Sequence, residues 1–454
     1  MSEADREYIT IETPIGECKV PFDSEKIKAF VQEVAHNAEN RRTLLNEEIA
    51  EFLGVAIGEE DEEWEWWDEN HVPSLLYDFE RFLEREYPNA KIINYTRRKQ
   101  THCAVVKKKM KYPHGESSIV IKGVYFIENE NGLKFVISLT PVEGLNMEVR
   151  IAYDSSVCSP SDFLTPFMEY HHTEGVLKNA SFNSQMNFIY YDDKNWEDIV
   201  LTDSQRQRID RNISKFIENM EKFKTRNLPL SRGILITGPP GTGKTLLCNT
   251  VMSQTDCTFI YITSESISNR GDISQMYSLA RSLSPTIIVV EDIDTLGASD
   301  REQYGNDHPL LGEFLNCLAG IEANQQVITI ATTNYPQHLD KALIDRPGRF
   351  DIRIDFGLPD DTLRETIFKR YLRTIKHGKI DFKKLVQICD GMSGAHLKEI
   401  VMLSYMEGLE KNDYKEDFTL SGGLLLEMAE KMKENREKYQ FFKEDKKDYE
   451  SMHI

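Results

Sequence analysis

Apolar residues recur along this chain with two different periods. Between Lys91 and about Tyr191 they alternate or gather in short runs. SSIVIKGVYFIENENGLKFVISL reads as two strands joined around Asn129–Gly132, and MEVRIAY and MNFIYY read as further strands. Ahead of them, EYITIETPIGECKVPF predicts a short hairpin, and a helical period runs from about Ser24 to Leu53. Pro73 suits the first turn of another helix, through Leu75, Leu76, Phe79, Phe82 and Leu83. From Trp196 the order becomes helix, strand, glycine-rich turn, helix, strand, helix, strand, which predicts a parallel sheet with helices on both faces. Beyond about Gly357 the pattern is mainly helical. The charged end, EKMKENREKYQFFKEDKKDYESMHI, reads equally as a solvated helix or a frayed tail. The pattern therefore divides the chain into an α+β N-terminal domain over 1–190, an α/β module over 191–357, and a small helical region with a charged tail over 358–454. It holds no internal repeat.

Charge narrows the choice of partner. Asp plus Glu number 75 against 55 Lys plus Arg, for a net charge of -20. A field of that sign repels a phosphate backbone, so nucleic acid is a poor first candidate. No apolar run approaches the roughly 18 residues of a spanning helix, and the polar start MSEADREYITIETPIGE does not read as a signal peptide. The seven cysteines (Cys18, Cys103, Cys158, Cys248, Cys257, Cys317 and Cys389) are scattered and form no CxxC pair. Reduced thiols in a cytoplasmic chain are the expectation.

Chemistry concentrates at two strand ends. GILIT leads into Gly238-Pro239-Pro240-Gly241-Thr242-Gly243-Lys244-Thr245, and Leu246 begins an apolar helix. Glycines let backbone N–H groups turn toward an anion, and the helix N-terminus adds partial positive charge. Lys244 can reach the β- and γ-phosphates of a nucleotide, and the Thr245 hydroxyl can ligate Mg²⁺. The second strand, TIIVV, ends in Glu291-Asp292-Ile293-Asp294. A carboxylate there can hold the metal, directly or through water, and another can orient or deprotonate the attacking water.

With these motifs in order, residues from about Trp196 to Leu409 resemble the AAA family of the AAA+ ATPases. SPTIIVVEDID is similar to that family's second nucleotide motif, and ITIATTN, ending at Asn334, to its first sensor. ALIDRPGRFDIRIDFGLPD resembles its second region of homology, and GMSGAHLKEIV the start of its lid helix. WEDIVL resembles the linker leading into the module. The resemblance implies ATP and Mg²⁺ as cofactors. It places Asp198, Ile199, Gly394 and Ala395 about the nucleotide, Thr245 and Glu291 at the metal, and Asn334 beside the attacking water. It puts Arg346 and Arg349 in the arginine-finger positions, entering a neighbour's site. Fingers of that kind contribute about 10³–10⁵ in rate in related systems. Fingers in trans imply a ring of identical subunits, most often a hexamer, with protein substrates selected by the N-terminal domain.

Two features depart from the family. Its usual order at the acidic strand end is Asp then Glu, and here Glu291 precedes Asp292. A similar inversion occurs in the branch that includes the mitochondrial Rieske-protein translocase. The loop after CTFIYIT also lacks the family's pore aromatic. Tyr277 lies too far into the next helix, which leaves Ile267, Asn269 and Arg270 as the pore-facing residues. Outside the module, GEEDEEWEWWDEN joins eight acids to Trp64, Trp66 and Trp67 over Glu59–Glu69, either as a packed core with a solvated rim or as an exposed surface for a basic or apolar partner. The run Lys107–Lys111 is weak as a nucleic-acid patch. His171 and His172 lack partner ligands at metal spacing.

A protein-remodelling oligomeric ATPase heads three readings. The others are a nucleic-acid-associated or defence-type motor and a nucleotide-gated scaffold. Asp292→Asn should keep ATP binding and abolish turnover, as followed by nucleotide titration and phosphate release. A normal hydrolysis rate in that variant would overturn the assignment.

Overall fold

The computed structural model describes residues 7–13, 16–22, 45–68, 70–93, 105–113, 115–142, 146–190, 194–263, 267, 271–295, 309–319, 326–339, 349–415 and 417–451. The chain divides into two compact units, Met1–Val176 and Leu177–Ile454. The division falls fourteen residues before the expected 190/191 boundary, because 181–183 form a strand of the second unit's sheet.

The first unit is α+β, as its pattern predicts. Strands β1 (Glu7–Thr13) and β2 (Gly16–Phe22) make the expected antiparallel hairpin. Of the helical stretch expected from Ser24, 45–53 is a helix, and 23–44 lies outside the described residues. A second sheet runs in the order β3 (Asp61–Trp67), β8 (Met147–Tyr153), β7 (Lys134–Pro141), β6 (Gly115–Glu128), β4 (Lys91–Ile93), and β5 (Val106–Tyr112) pairs with β6. The predicted turn joins β6 to β7. Asn129 Oδ1 accepts the N–H groups of Asn131 and Leu133, and Gly132 takes a φ of 78°. The last predicted strand, MNFIYY, is not one. Phe188 makes only an isolated bridge to Phe182.

Both faces of this sheet are covered, so β6 buries alternate residues on each side. Val124 and Phe126 pack with Ile49 and Leu53 of helix 45–53. Tyr125 meets Phe79 of helix Val72–Glu86, with ring centroids 5.0 Å apart. That helix and helix Ser161–Thr173 share an aromatic core of Phe79, Phe82, Phe163 and Phe167, to which Trp67 adds its ring. A buried polar tie crosses the same interface. Asp78 Oδ2 lies 2.6 Å from His171 Nδ1, and Asp78 Oδ1 accepts the Val176 N–H at 2.9 Å. Burial, and then the neighbouring His171, holds the His172 imidazole down at about 4.

The second unit carries an all-parallel sheet in the order β14 (Ile352–Asp355), β10 (Arg232–Thr237), β13 (Val327–Thr333), β12 (Thr286–Val290), β11 (Thr258–Ile262), β9 (Ser181–Asn183). Its central strands are apolar on both faces because helices cover both. Ile287 and Val289 of β12 join a core with Leu247 and Val251 of helix Lys244–Gln254. Ile288 and Val290 are equally buried. Tyr277 of helix Asp272–Ser282 is fully buried and bonds Thr329 of β13, which keeps it out of any pore-facing role. Ile267 is buried as well, against the expectation that it faces a pore, while Asn269 and Arg270 lie outside the described residues.

Helices Asp361–Leu372, Phe382–Ile388, Gly394–Lys411 and Gly422–Ser451 follow, packing on Phe368, Leu385, Leu397, Ile400 and Leu425. The charged end is thus helical as far as Ser451. Among the described residues no helix is long and apolar enough to cross a membrane.

Phe79→Ala should remove about 3–5 kcal/mol from the first unit, the usual effect of emptying a buried phenyl site. Urea unfolding followed by near-ultraviolet dichroism checks this. A change below about 1 kcal/mol would show that the aromatic cluster is not what holds the unit together.

Candidate active site

The site grows from strand register. Thr237 at the end of β10 pairs with Thr333 at the end of β13, and Val290 at the end of β12 pairs with Ala331. The segments leaving the three strand ends therefore open side by side, where parallel sheets bind ligands. β10 leads into the glycine loop, β13 into Asn334, and β12 into Glu291 and Asp292.

Glycine is required at two points of the loop. A Cβ on Gly238 would lie 2.2 Å from the Phe356 carbonyl oxygen. One on Gly241, where φ is 78°, would lie 2.8 Å from Ser393 Oγ and 2.9 Å from Ala395 Cβ. The second contact arises because the lid touches the loop directly, through an Ala395 N–H donated to the Gly241 carbonyl at 3.0 Å.

Lys244 is 7% exposed. Its ammonium donates to the carbonyls of Gly238 (2.8 Å) and Pro239 (3.0 Å) and to Asn334 Oδ1 (2.7 Å). Burial lowers its pKa, opposed by Asp292, Asp294 and Glu291. Asn334 in turn donates its amide to Asp292 Oδ1 at 2.9 Å. Asp292 sits at φ 46°, in the left-handed region where Asp and Asn are the commonest non-glycine residues. Thr332 Oγ1 accepts its backbone N–H at 3.1 Å. Burial, then the charges of Glu291 and Asp294, raises the Asp292 pKa, and Lys244 pulls it back.

These groups line a cavity of about 400 Å³ that also takes in Asp198, Ile199, Pro240, Gly241, Thr242, Gly243, Thr245, Leu246, Gly394 and Ala395. Nearly all of the residues expected around a nucleotide therefore converge. Gly238 and Pro239 contribute through the carbonyls that hold Lys244. Two residues stand elsewhere. Glu291 does not line the cavity. Its carboxylate takes the Tyr261 hydroxyl, and its Oε1 is buried without a hydrogen-bond partner. Arg349 is 6% exposed, packed inside the chain and not presented on its surface as a finger would be. Its backbone turns in against β10, where a Cβ on Gly233 would lie 1.8 Å from the Arg349 carbonyl oxygen. Arg346 lies outside the described residues.

The cavity's outer wall was missed. Ile367, Arg370 and Tyr371 line it from helix Asp361–Leu372, and Lys398 from helix Gly394–Lys411. Arg370 bonds the Asp198 carboxylate and donates to the Glu197 carbonyl at 2.6 Å, joining lid to linker. The Asn195 N–H, and then Arg370, hold the Asp198 carboxyl below its ordinary range. The i, i+3, i+4 spacing of Ile367, Arg370 and Tyr371 marks one helix face and was the available signal.

Two candidate metal donors stand apart here. Thr245 lines the cavity, whereas Glu291 does not, although its buried Oε1 without a hydrogen-bond partner is the kind of group that a hard cation or its water satisfies.

Glycine loop, sensor amide, paired acids and a lid closing on the loop define a P-loop module of the AAA type. Residues 234–358 match the sequence model of the ATPase family associated with various cellular activities (AAA), so the chain carries an AAA ATPase domain. The chain is 39% identical over 197 residues to the probable 26S proteasome regulatory subunit 10B of Caenorhabditis elegans, covering 40% of this chain and 47% of that protein. It is 33% identical over 261 residues to the 26S proteasome regulatory subunit 8 homolog B of Arabidopsis thaliana, covering 54% and 61%. A Schizosaccharomyces pombe subunit 8 homolog is 33% identical over 244 residues, covering 50% and 60%. The chain thus spans about half to three fifths of these curated relatives. They are proteasome regulatory subunits, which corrects the likeness to the mitochondrial translocase branch. The acid order and the missing pore aromatic did not mark that descent.

Because Asp292 is protonated more readily than a free aspartic acid, its carboxylate is lost earlier as pH falls. The acid limb of ATP hydrolysis should lie above the ordinary value of about 3.9, and Asp294→Asn should move it downward in a pH–rate profile. A limb unmoved by that substitution would refute the coupling.

Proposed function

We propose that this chain is an ATP-hydrolysing subunit of a ring that remodels, translocates or chaperones protein substrates. The observation that carries the reading is the continuous link from Lys244 through Asn334 to Asp292 inside a cavity walled by loop, linker and lid. Asp198, Ile199 and the lid face of Ile367 and Tyr371 take the base of ATP. The glycine loop and Lys244 hold the phosphates. Asp292, oriented by the Asn334 amide, accepts a proton from the attacking water, a role worth about 10²–10⁴ in rate. Thr245 and Glu291 would hold Mg²⁺, whose chemistry is to neutralise charge on the phosphate oxygens.

Acting on proteins is supported by the relatives, which are named as 26S proteasome regulatory subunits. The net charge of -20 weighs against a nucleic-acid motor. Ring formation rests on the family, and a trans finger falls to Arg346, since Arg349 is buried. Assembly with different subunits fits as well as assembly of identical ones.

Unfolded protein should raise the ATPase rate, and DNA or RNA at moderate salt should not. The reverse result would overturn the reading. Particles formed by Asp292→Asn with ATP should image as closed rings, and monomers under those conditions would remove the oligomeric part.

A further inference from the structure

The acidic tryptophan-rich segment of the first unit is β3, an edge strand. Among the described residues it pairs with β8 alone, antiparallel from Asp61↔Tyr153 to Trp67↔Met147. Its three tryptophans separate by the two-residue period of a strand. Trp67 points into the aromatic core. Trp64 and Trp66 lie on the opposite face and remain 47% and 63% exposed. Helix 45–53 covers that face as far as Ala152, the partner of Glu62, and the two indoles lie further along the strand.

An edge strand with two exposed indoles is a liability for self-association, and proteins guard such edges with charge. Here Asp61, Glu62, Glu63 and Glu65 supply four acids in seven residues. A second copy would bring the same four acids against them, so the guard excludes this chain and selects a basic strand instead. The molecule already shows the preferred chemistry. Arg150 of β8 pairs with Glu62 and sets its guanidinium 5.5 Å from the Trp64 ring centroid.

We propose that β3 is a docking edge for an extended polypeptide in which apolar and basic residues alternate. The peptide adds as a strand beside β3, its backbone pairing with the outer edge. Its apolar residues then fall on Trp64 and Trp66. Its lysines or arginines fall on the other face, beside Glu63 and Glu65, whose side chains share that side of the strand. That such a segment is the motor's cargo rests on the function proposed above. The docking edge itself does not.

The test uses the full chain and a labelled synthetic peptide alternating Lys and Val, with binding read by fluorescence anisotropy. A peptide of the same composition in two blocks, and an alternating peptide interrupted by proline, should bind far more weakly. Trp64→Ala with Trp66→Ala should weaken binding at least about thirtyfold, the scale of an aromatic hot spot, while the basal ATPase rate stays unchanged. Glu63→Gln with Glu65→Gln should weaken it and flatten its dependence on salt. Equal binding of the block peptide, or unaltered affinity in the tryptophan variant, overturns the proposal. Binding that leaves turnover unchanged keeps the docking edge and counts against the cargo reading.

Discussion

The register of three parallel strands governs where every reacting group of this chain stands. β10, β13 and β12 are neighbours in the sheet, and their ends deliver the glycine loop, Asn334 and Asp292 to one mouth. A slip of one residue in any of them would turn its apolar side chains from one helical layer to the other and retract its functional group by about 3.3 Å. Hydrogen bonds of 2.7 and 2.9 Å through Asn334 could not survive that displacement. The continuous burial of β12 and β13 is therefore also what positions the chemistry, because it pins the register.

Charge within that mouth is balanced by sharing. Lys244 lies among Asp292, Asp294 and Glu291, and the three carboxylates oppose the lowering of its pKa by burial. Burial raises the Asp292 pKa first, the neighbouring charges of Glu291 and Asp294 raise it further, and the lysine opposes both. Asp294 is occupied by the Thr333 hydroxyl at 2.6 Å, and Glu291 by Tyr261. Asp292 is thereby the acid presented to the cavity, on a left-handed backbone that a bulkier residue would not readily adopt.

Much of this was legible in the sequence, for a physical reason. A phosphate cradle needs glycine at fixed spacing after an apolar strand, and GPPGTGKT states that need in one dimension. The buried strands and the helix at Pro73 show the same local logic. Three things were not local. Arg349 stands in a finger position, yet it is buried and its backbone packs against Gly233, and no spacing reports that contact. Glu291 precedes Asp292 along the chain, but which of them faces the cavity depends on Tyr261 one strand away. The domain boundary moved because 181–183 find a partner in β11, a pairing that a three-residue strand cannot announce.

The tryptophans show the same limit from the other side. Composition made them either core or surface, and the pleat made them both. Trp67 joins Phe79 and Phe167, while Trp64 and Trp66, at the adjacent even positions, face outward. A strand whose two faces are an aromatic core and an exposed aromatic pair has apolar reason to remain paired on one edge and to be sought on the other. The acids between the indoles resolve that conflict. They discourage a like-charged copy and leave the edge open to a strand of opposite charge, so the residues that keep this unit apart from its own copies also define what it can accept.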